Sequence, residues 1–164
     1  MKIIAVWALI VLLLYSAQTS LLPFVSYNGV SANLMLLLTG SVAFLHGHRH
    51  GVFFGFVTGL LQDLTSGSFF GCVTFSFMTI GLIFGKFSKH VFREQFFLPI
   101  ISSVFAITLH FFMMTTFIYL LGYHLNIEQT FQHELVPLLF YQLIFAYPIH
   151  KMVYEFDKFF KRYG

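Results

Sequence analysis

The sequence predicts an all-α integral membrane protein with six transmembrane helices, and three observations carry that prediction. Hydrophobic residues make up 58% of the 164 positions and charged residues only 9%, against the roughly one quarter that clothes a soluble domain. Six apolar runs have, or come close to, the length needed to cross a bilayer in a helix, which takes about 17–25 residues. When those runs are threaded in alternating directions, all nine Lys and Arg residues fall on one side. Adding or removing one run would scatter them.

The first run covers residues 3–22 and gives way to a turn-rich stretch over 23–31. A secretory signal reading of this start, with Lys2, an apolar core and SAQTS, lacks an A-x-A cleavage site, and Leu21, Leu22 and Phe24 continue the run. The second run, about 32–45, stops at HGHRH, residues 46–50. The third, 51–63, is short for a span unless its helix starts a turn earlier. The fourth runs over 69–85 and ends in KFSKHVFREQ. The fifth, 96–121, is long enough to tilt, and the loop GYHLNIEQTFQHE separates it from the sixth, about 135–152. The tail, 153–164, carries Val153, Phe156, Phe159, Phe160 and Tyr163 at helical spacing with Lys158, Lys161 and Arg162 between them. It reads either as an amphipathic basic helix on the membrane surface or as a continuation of the sixth span. The whole chain is one polytopic domain.

With the N-terminus inside, Lys2, Arg49, Lys86, Lys89, Arg93, Lys151, Lys158, Lys161 and Arg162 are all cytoplasmic, and so are both termini. The net charge of +3 therefore flanks membrane spans, where it sets topology and attracts anionic headgroups, and does not form a soluble nucleic-acid face. Cys72 is the only cysteine, so an intramolecular disulfide, a thiolate zinc cluster and a CxxC redox pair are all excluded.

The stretch GVFFGFVTGLLQDLTSGSFFG, residues 51–71, holds five of the twelve glycines and one acid. Gly51, Gly55 and Gly59 recur every four residues and form a small-residue face on which another backbone can approach closely. Asp63 follows at the same interval near the external end of the span. Its carboxylate has two readings. It accepts bonds from the amides of Thr65, Ser66 or the first turn of the fourth span, or it is an intramembrane acid that binds an ion, substrate or partner helix. Gly67 and Gly71 let the chain turn and start the next span.

Asn33-Leu34, the pattern G-x3-G-x3-G-L-x2-D from Gly51 to Asp63, and the later Gly71 and Gly81 resemble the bacterial rod shape-determining MreD family. The chain departs from that pattern at Ala32, where the family often has proline, and at Leu82, where an aromatic is frequent. The resemblance implies a fold like the substrate-binding subunits of energy-coupling-factor transporters. It also implies a noncatalytic role in cell elongation and lateral peptidoglycan synthesis. The implied partners are the bitopic MreC, the actin-like MreB, a RodA-type glycosyltransferase and a class B penicillin-binding protein, besides membrane lipid. On this resemblance Gly51, Gly55, Gly59 and Gly71 pack helices and Asp63 shapes an external turn open to a partner. An apolar groove that accepts a partner's transmembrane helix is expected.

Other polar residues offer weaker signals. His46, His48 and His50 with Arg49 look like a metal cluster, but glycines flank them and alternate residues point apart on a helix, so a headgroup loop is the expectation. His110 falls mid-span, where it either bonds a hydroxyl or carbonyl or pairs functionally, for instance with Gln142. His124, Glu128, His133 and Glu134 sit in the external loop without ligand spacing. There is no G-x-S-x-G, HExxH or G-x4-G-K-[ST] motif and no pair of intramembrane acids, so neither an enzyme, a cofactor nor a metal is expected. The competing function is a small-molecule-binding transporter subunit, which would need a sealed polar pocket.

Overall fold

Where a span begins or ends in this chain is decided by what satisfies its free backbone groups. The computed structural model describes residues 2–26, 32–66, 70–88, 97–123 and 131–163. Gly67, Lys89, Arg93, His124 and Glu128 lie outside them. Helix α1 spans Lys2–Ser20 and a single turn, α2, spans Leu22–Val25. Helix α3 is Leu34–His46, α4 is His48–Ser66, α5 is Cys72–Phe87 and α6 is Phe97–Leu120. A π-helical turn at Phe131–Leu135 leads into α7, Val136–Tyr163.

Helix α3 is apolar all round, and every residue from Leu34 to Leu45 is buried, as such a helix requires. It forms the centre of the bundle, with α1, α4, α5, α6 and α7 around it. Met35, Leu36 and Leu38 of α3 meet Phe77 and Ile80 of α5, Ile107 of α6 and Val153 of α7 in the core. The outer surface is the reverse of a soluble protein's: Leu13, Phe24, Phe53, Phe75, Ile101, Phe112, Phe140 and Ile144 are all exposed. So much exposed apolar area is stable only against lipid or another protein.

By length and composition, three stretches of helix can cross a membrane, Val6–Phe24, Pro99–Leu120 and Gln132–Phe159, and Leu34–His46 and Cys72–Phe87 are shorter apolar helices. The chain is thus a multi-pass membrane protein. The fully buried α3 need not reach both surfaces on its own, because its neighbours cover its ends.

One expectation changes, and one open alternative is decided. The HGHRH segment is not a loop: Gly47 alone, at φ 87°, separates α3 from α4, and residues 48–50 form the first turn of α4. One left-handed glycine suffices to reverse the chain, since Gly has no Cβ to clash there. The tail is a continuation of α7 to Tyr163 rather than a separate surface helix. Its Val153 and Asp157 are buried against the bundle, while Lys151, Glu155, Lys158 and Phe159 are exposed.

Candidate functional site: the glycine seam, its acid and a flanking groove

Helices α4 and α5 form an antiparallel hairpin whose backbones touch. A Cβ on Gly51 would lie 2.5 Å from the Gly81 carbonyl oxygen, and one on Gly55 the same distance from that of Phe77. One on Gly59 would lie 2.6 Å from Thr74 Cα. The seam is lined from both sides, because Gly81 abuts the Gly51 backbone and Gly85 abuts His48. Gly85 is the packing residue that sequence reasoning overlooked, although Gly81-x3-Gly85 repeats the small-xxx-small spacing of α4. Gly71 requires a correction. It is the N-cap of α5 at φ 96°, and nothing lies within 4 Å of where its Cβ would be. It is a turn residue, needed for its left-handed backbone and not for close packing.

Gly71 has no side chain with which to cap α5, and Asp63 supplies the cap from across the hairpin. The Asp63 carboxylate is 3% exposed. Its Oδ2 accepts the N–H groups of Gly71 at 3.0 Å and Thr74 at 2.9 Å, and its Oδ1 accepts that of Val73 at 3.2 Å. The Thr74 hydroxyl donates to Oδ2 as well. Three of these donors crowd on Oδ2 and one meets Oδ1, and the positive end of α5 favours the anion further. Of the amides considered from sequence, those at the start of the fourth span are the donors, while the Thr65 hydroxyl donates to the carbonyls of Leu61 and Gln62.

His110 and Gln142 are not paired with each other. His110 Nδ1 lies 2.8 Å from Ser76 Oγ, and its ring meets Phe77 edge-on at 5.3 Å. Gln142 is fully buried and clasps the Asn33 peptide: its Oε1 accepts the Asn33 N–H at 2.9 Å and its Nε2 donates to the Asn33 carbonyl at 3.3 Å. The start of α3 is thereby held by three elements. Asn33 Oδ1 caps the Leu36 N–H at 3.0 Å, Gln18 of α1 accepts the Met35 N–H at 3.1 Å, and Gln142 of α7 holds Asn33. Gln18 was not singled out in the sequence; the available signal was a lone amide inside an apolar run.

At the opposite end of α3, His46 Nε2 lies 2.9 Å from Asp157 Oδ1 of α7. His50 Nδ1 lies 3.1 Å from the His46 carbonyl, and the two rings meet at a tilt with centroids 5.6 Å apart. His133 and Glu134 are exposed in the π-helical turn. Between α1, α3 and α4 runs an apolar groove of about 610 Å³, with Trp7, Val11, Leu12, Val42, Phe53 and Phe54 on its walls and His46 and His50 at one end. The cleft at the bundle centre, between Leu36, Phe84, Ser103 and Ala146, holds about 10 Å³.

Residues 1–160 match the family model of the rod shape-determining protein MreD. The chain belongs to the MreD family. Membership assigns it to rod-shape determination, and within this family member the glycine and aspartate signature is the α4–α5 hairpin with its cap. Neither a curated protein nor a solved structure matches the chain.

Proposed function

We propose that this protein is a noncatalytic membrane scaffold of the cell-elongation machinery. It crosses the membrane six times with both termini cytoplasmic and works through contacts with MreC and the wall synthases. The observation that carries the noncatalytic part is the use made of its buried polar groups. Asp63 accepts bonds from the first turn of α5, Gln142 closes on the Asn33 peptide, and His110 faces a serine within the α5–α6 contact. Ser76 sits mid-helix and is fully buried, where neighbouring N–H groups serve the helix and offer no oxyanion site.

The contact surfaces on this reading are the exposed apolar faces of α6, with Ile101, Phe105 and Phe112, and of α7, with Phe140 and Ile144. At ~1.5 Å per residue the 24 residues of α6 extend about 36 Å, enough to follow a spanning partner helix through the ~30 Å hydrocarbon layer. The transporter-subunit alternative shares the expected fold but needs an internal pocket. The cleft between Leu36, Phe84, Ser103 and Ala146 holds about 10 Å³, far below the several hundred cubic ångströms of a ligand site, and the groove of about 610 Å³ has apolar walls where that reading needs a sealed polar pocket.

The test is to purify the tagged chain from its native host in mild detergent and identify what accompanies it. Recovery of a bitopic coiled-coil protein and wall synthases supports the scaffold. Recovery of ATPase subunits or a bound vitamin-like molecule overturns it.

A further inference from the structure

The groove between α1, α3 and α4 is lined by three helices of the bundle, and the expectation for such a groove was a partner's transmembrane helix. Its dimensions favour something smaller. From His50 to Leu61 its α4 wall rises about 16 Å at the helical ~1.5 Å per residue. That is the depth of one leaflet, half of the ~30 Å hydrocarbon layer, whereas a spanning helix needs a track through both. The volume of about 610 Å³ lies within the roughly 300–1,000 Å³ of small-molecule sites.

The mouth lies at the end of the fold where charge collects. Arg49, Lys86, Lys151 and Lys158 are exposed there, against the exposed Glu155 and an Asp157 already engaged by His46. His50 stands at the rim, on the first turn of α4, and the exposed Arg49 is its neighbour in that turn. Trp7 packs edge-on against His46 at 5.9 Å and Phe54 at 5.2 Å, the level at which tryptophan marks the lipid–water interface. Below the rim the walls are aliphatic and aromatic. The arrangement has an apolar slot one leaflet deep and a cationic rim, and basic pockets between spans on the cytoplasmic side take anionic headgroups.

We propose that this groove is a binding site for an anionic phospholipid of the inner leaflet, with one acyl chain along Val11, Leu12 and Phe54 and the headgroup phosphate beside His50 and Arg49. The proposal rests on the cytoplasmic orientation given above but not on the scaffold's partners, so it can fail while that reading stands.

The chain carries its own probe, because Trp7 is its only tryptophan. The full-length protein in detergent is titrated with phosphatidylglycerol brominated on its acyl chains, and separately with brominated phosphatidylcholine. Expected is saturable quenching of Trp7 at lower phosphatidylglycerol than phosphatidylcholine. Arg49→Ala, at an exposed position, should reduce that preference about fivefold, the worth of one basic residue at a membrane surface. Val57→Phe, which narrows the slot, should lower the maximal quenching by both lipids, with an unchanged circular dichroism spectrum reporting the fold. Quenching that follows bromolipid mole fraction without saturation or headgroup preference overturns the site and leaves ordinary lipid contact. Trp7 shielded from both lipids, with a second polypeptide's helix crosslinked at position 53, overturns it in favour of a protein occupant.

Discussion

Four donors converge on the Asp63 carboxylate, three of them main-chain N–H groups at the start of α5. An asparagine there keeps one acceptor oxygen but turns an NH2 group toward those same N–H groups. Asp63→Asn should therefore destabilise the protein by about 2–4 kcal/mol, since hydrogen bonds to a buried charge are strong and their loss strands donors. Thr74→Val, which removes only the hydroxyl, should cost about 1 kcal/mol. Thermal unfolding in detergent compares the two, and equal midpoints for Asp63→Asn and the parent would refute the capping role. His110 is the contrasting case. Its Ser76 partner can fall back on a carbonyl of its own helix, so His110→Phe should cost only about 0.6–1 kcal/mol, the usual worth of a side-chain bond within a membrane bundle. Rod shape lost in a His110→Phe strain with normal protein level and stability would give this histidine a function beyond packing.

The α4–α5 hairpin depends on contact between backbones, so its glycines should respond to substitution by position and not by type. Gly55→Ala places a methyl 2.5 Å from the Phe77 carbonyl oxygen and should cost about 1–3 kcal/mol by forcing the helices apart. Gly40 lies in α3 with only the Phe84 ring edge at 3.4 Å. Gly40→Ala should be neutral or stabilising by up to about 1 kcal/mol through helix propensity. Gly71→Ala meets no atom yet must hold φ at 96°, at a cost of roughly 1–2 kcal/mol. Thermal midpoints should rank Gly40→Ala above Gly71→Ala and Gly71→Ala at or above Gly55→Ala; a Gly55→Ala protein as stable as the parent would remove the seam as a determinant of the fold. The periodicity at 51, 55 and 59 was legible as a packing face, and Gly81 and Gly85 complete it from the other strand of the hairpin. Gly71, read from the sequence both as a turn residue and as a packing residue, shows the limit of that reading, because spacing does not distinguish a glycine needed for close approach from one needed for positive φ.

At the scale of the whole molecule the bundle is built around a helix that never meets lipid along most of its length. α3 is wrapped by its neighbours and tied at both ends by side chains from distant segments, through Asn33 with Gln142 and His46 with Asp157. The orientation proposed for it makes a direct prediction. With Cys72 replaced by serine, single cysteines at Arg49, Lys86 and Lys158, all exposed, should react with an impermeant maleimide only after the inner face is opened. A cysteine at the exposed Tyr123 should react in intact cells. Labelling of position 49 from outside would invert the topology.

Composition and the spacing of apolar runs were enough to specify a multi-pass helical membrane protein, because solvent preference and chain length are properties of segments read one at a time. The glycine ladder and its acid were visible for the same reason, as a repeat local to one helix. The partners of the buried polar groups were not visible. Asn33 and Gln142 are 109 positions apart, and His46 and Asp157 are also distant along the chain. Only the way α7 lies along α3 decides that Gln142 closes on a peptide and not on His110, or that Asp157 of the tail meets His46. Those pairings are set by the free energy of leaving a polar group unpaired in an apolar interior. Which donor meets which acceptor is fixed when the helices pack.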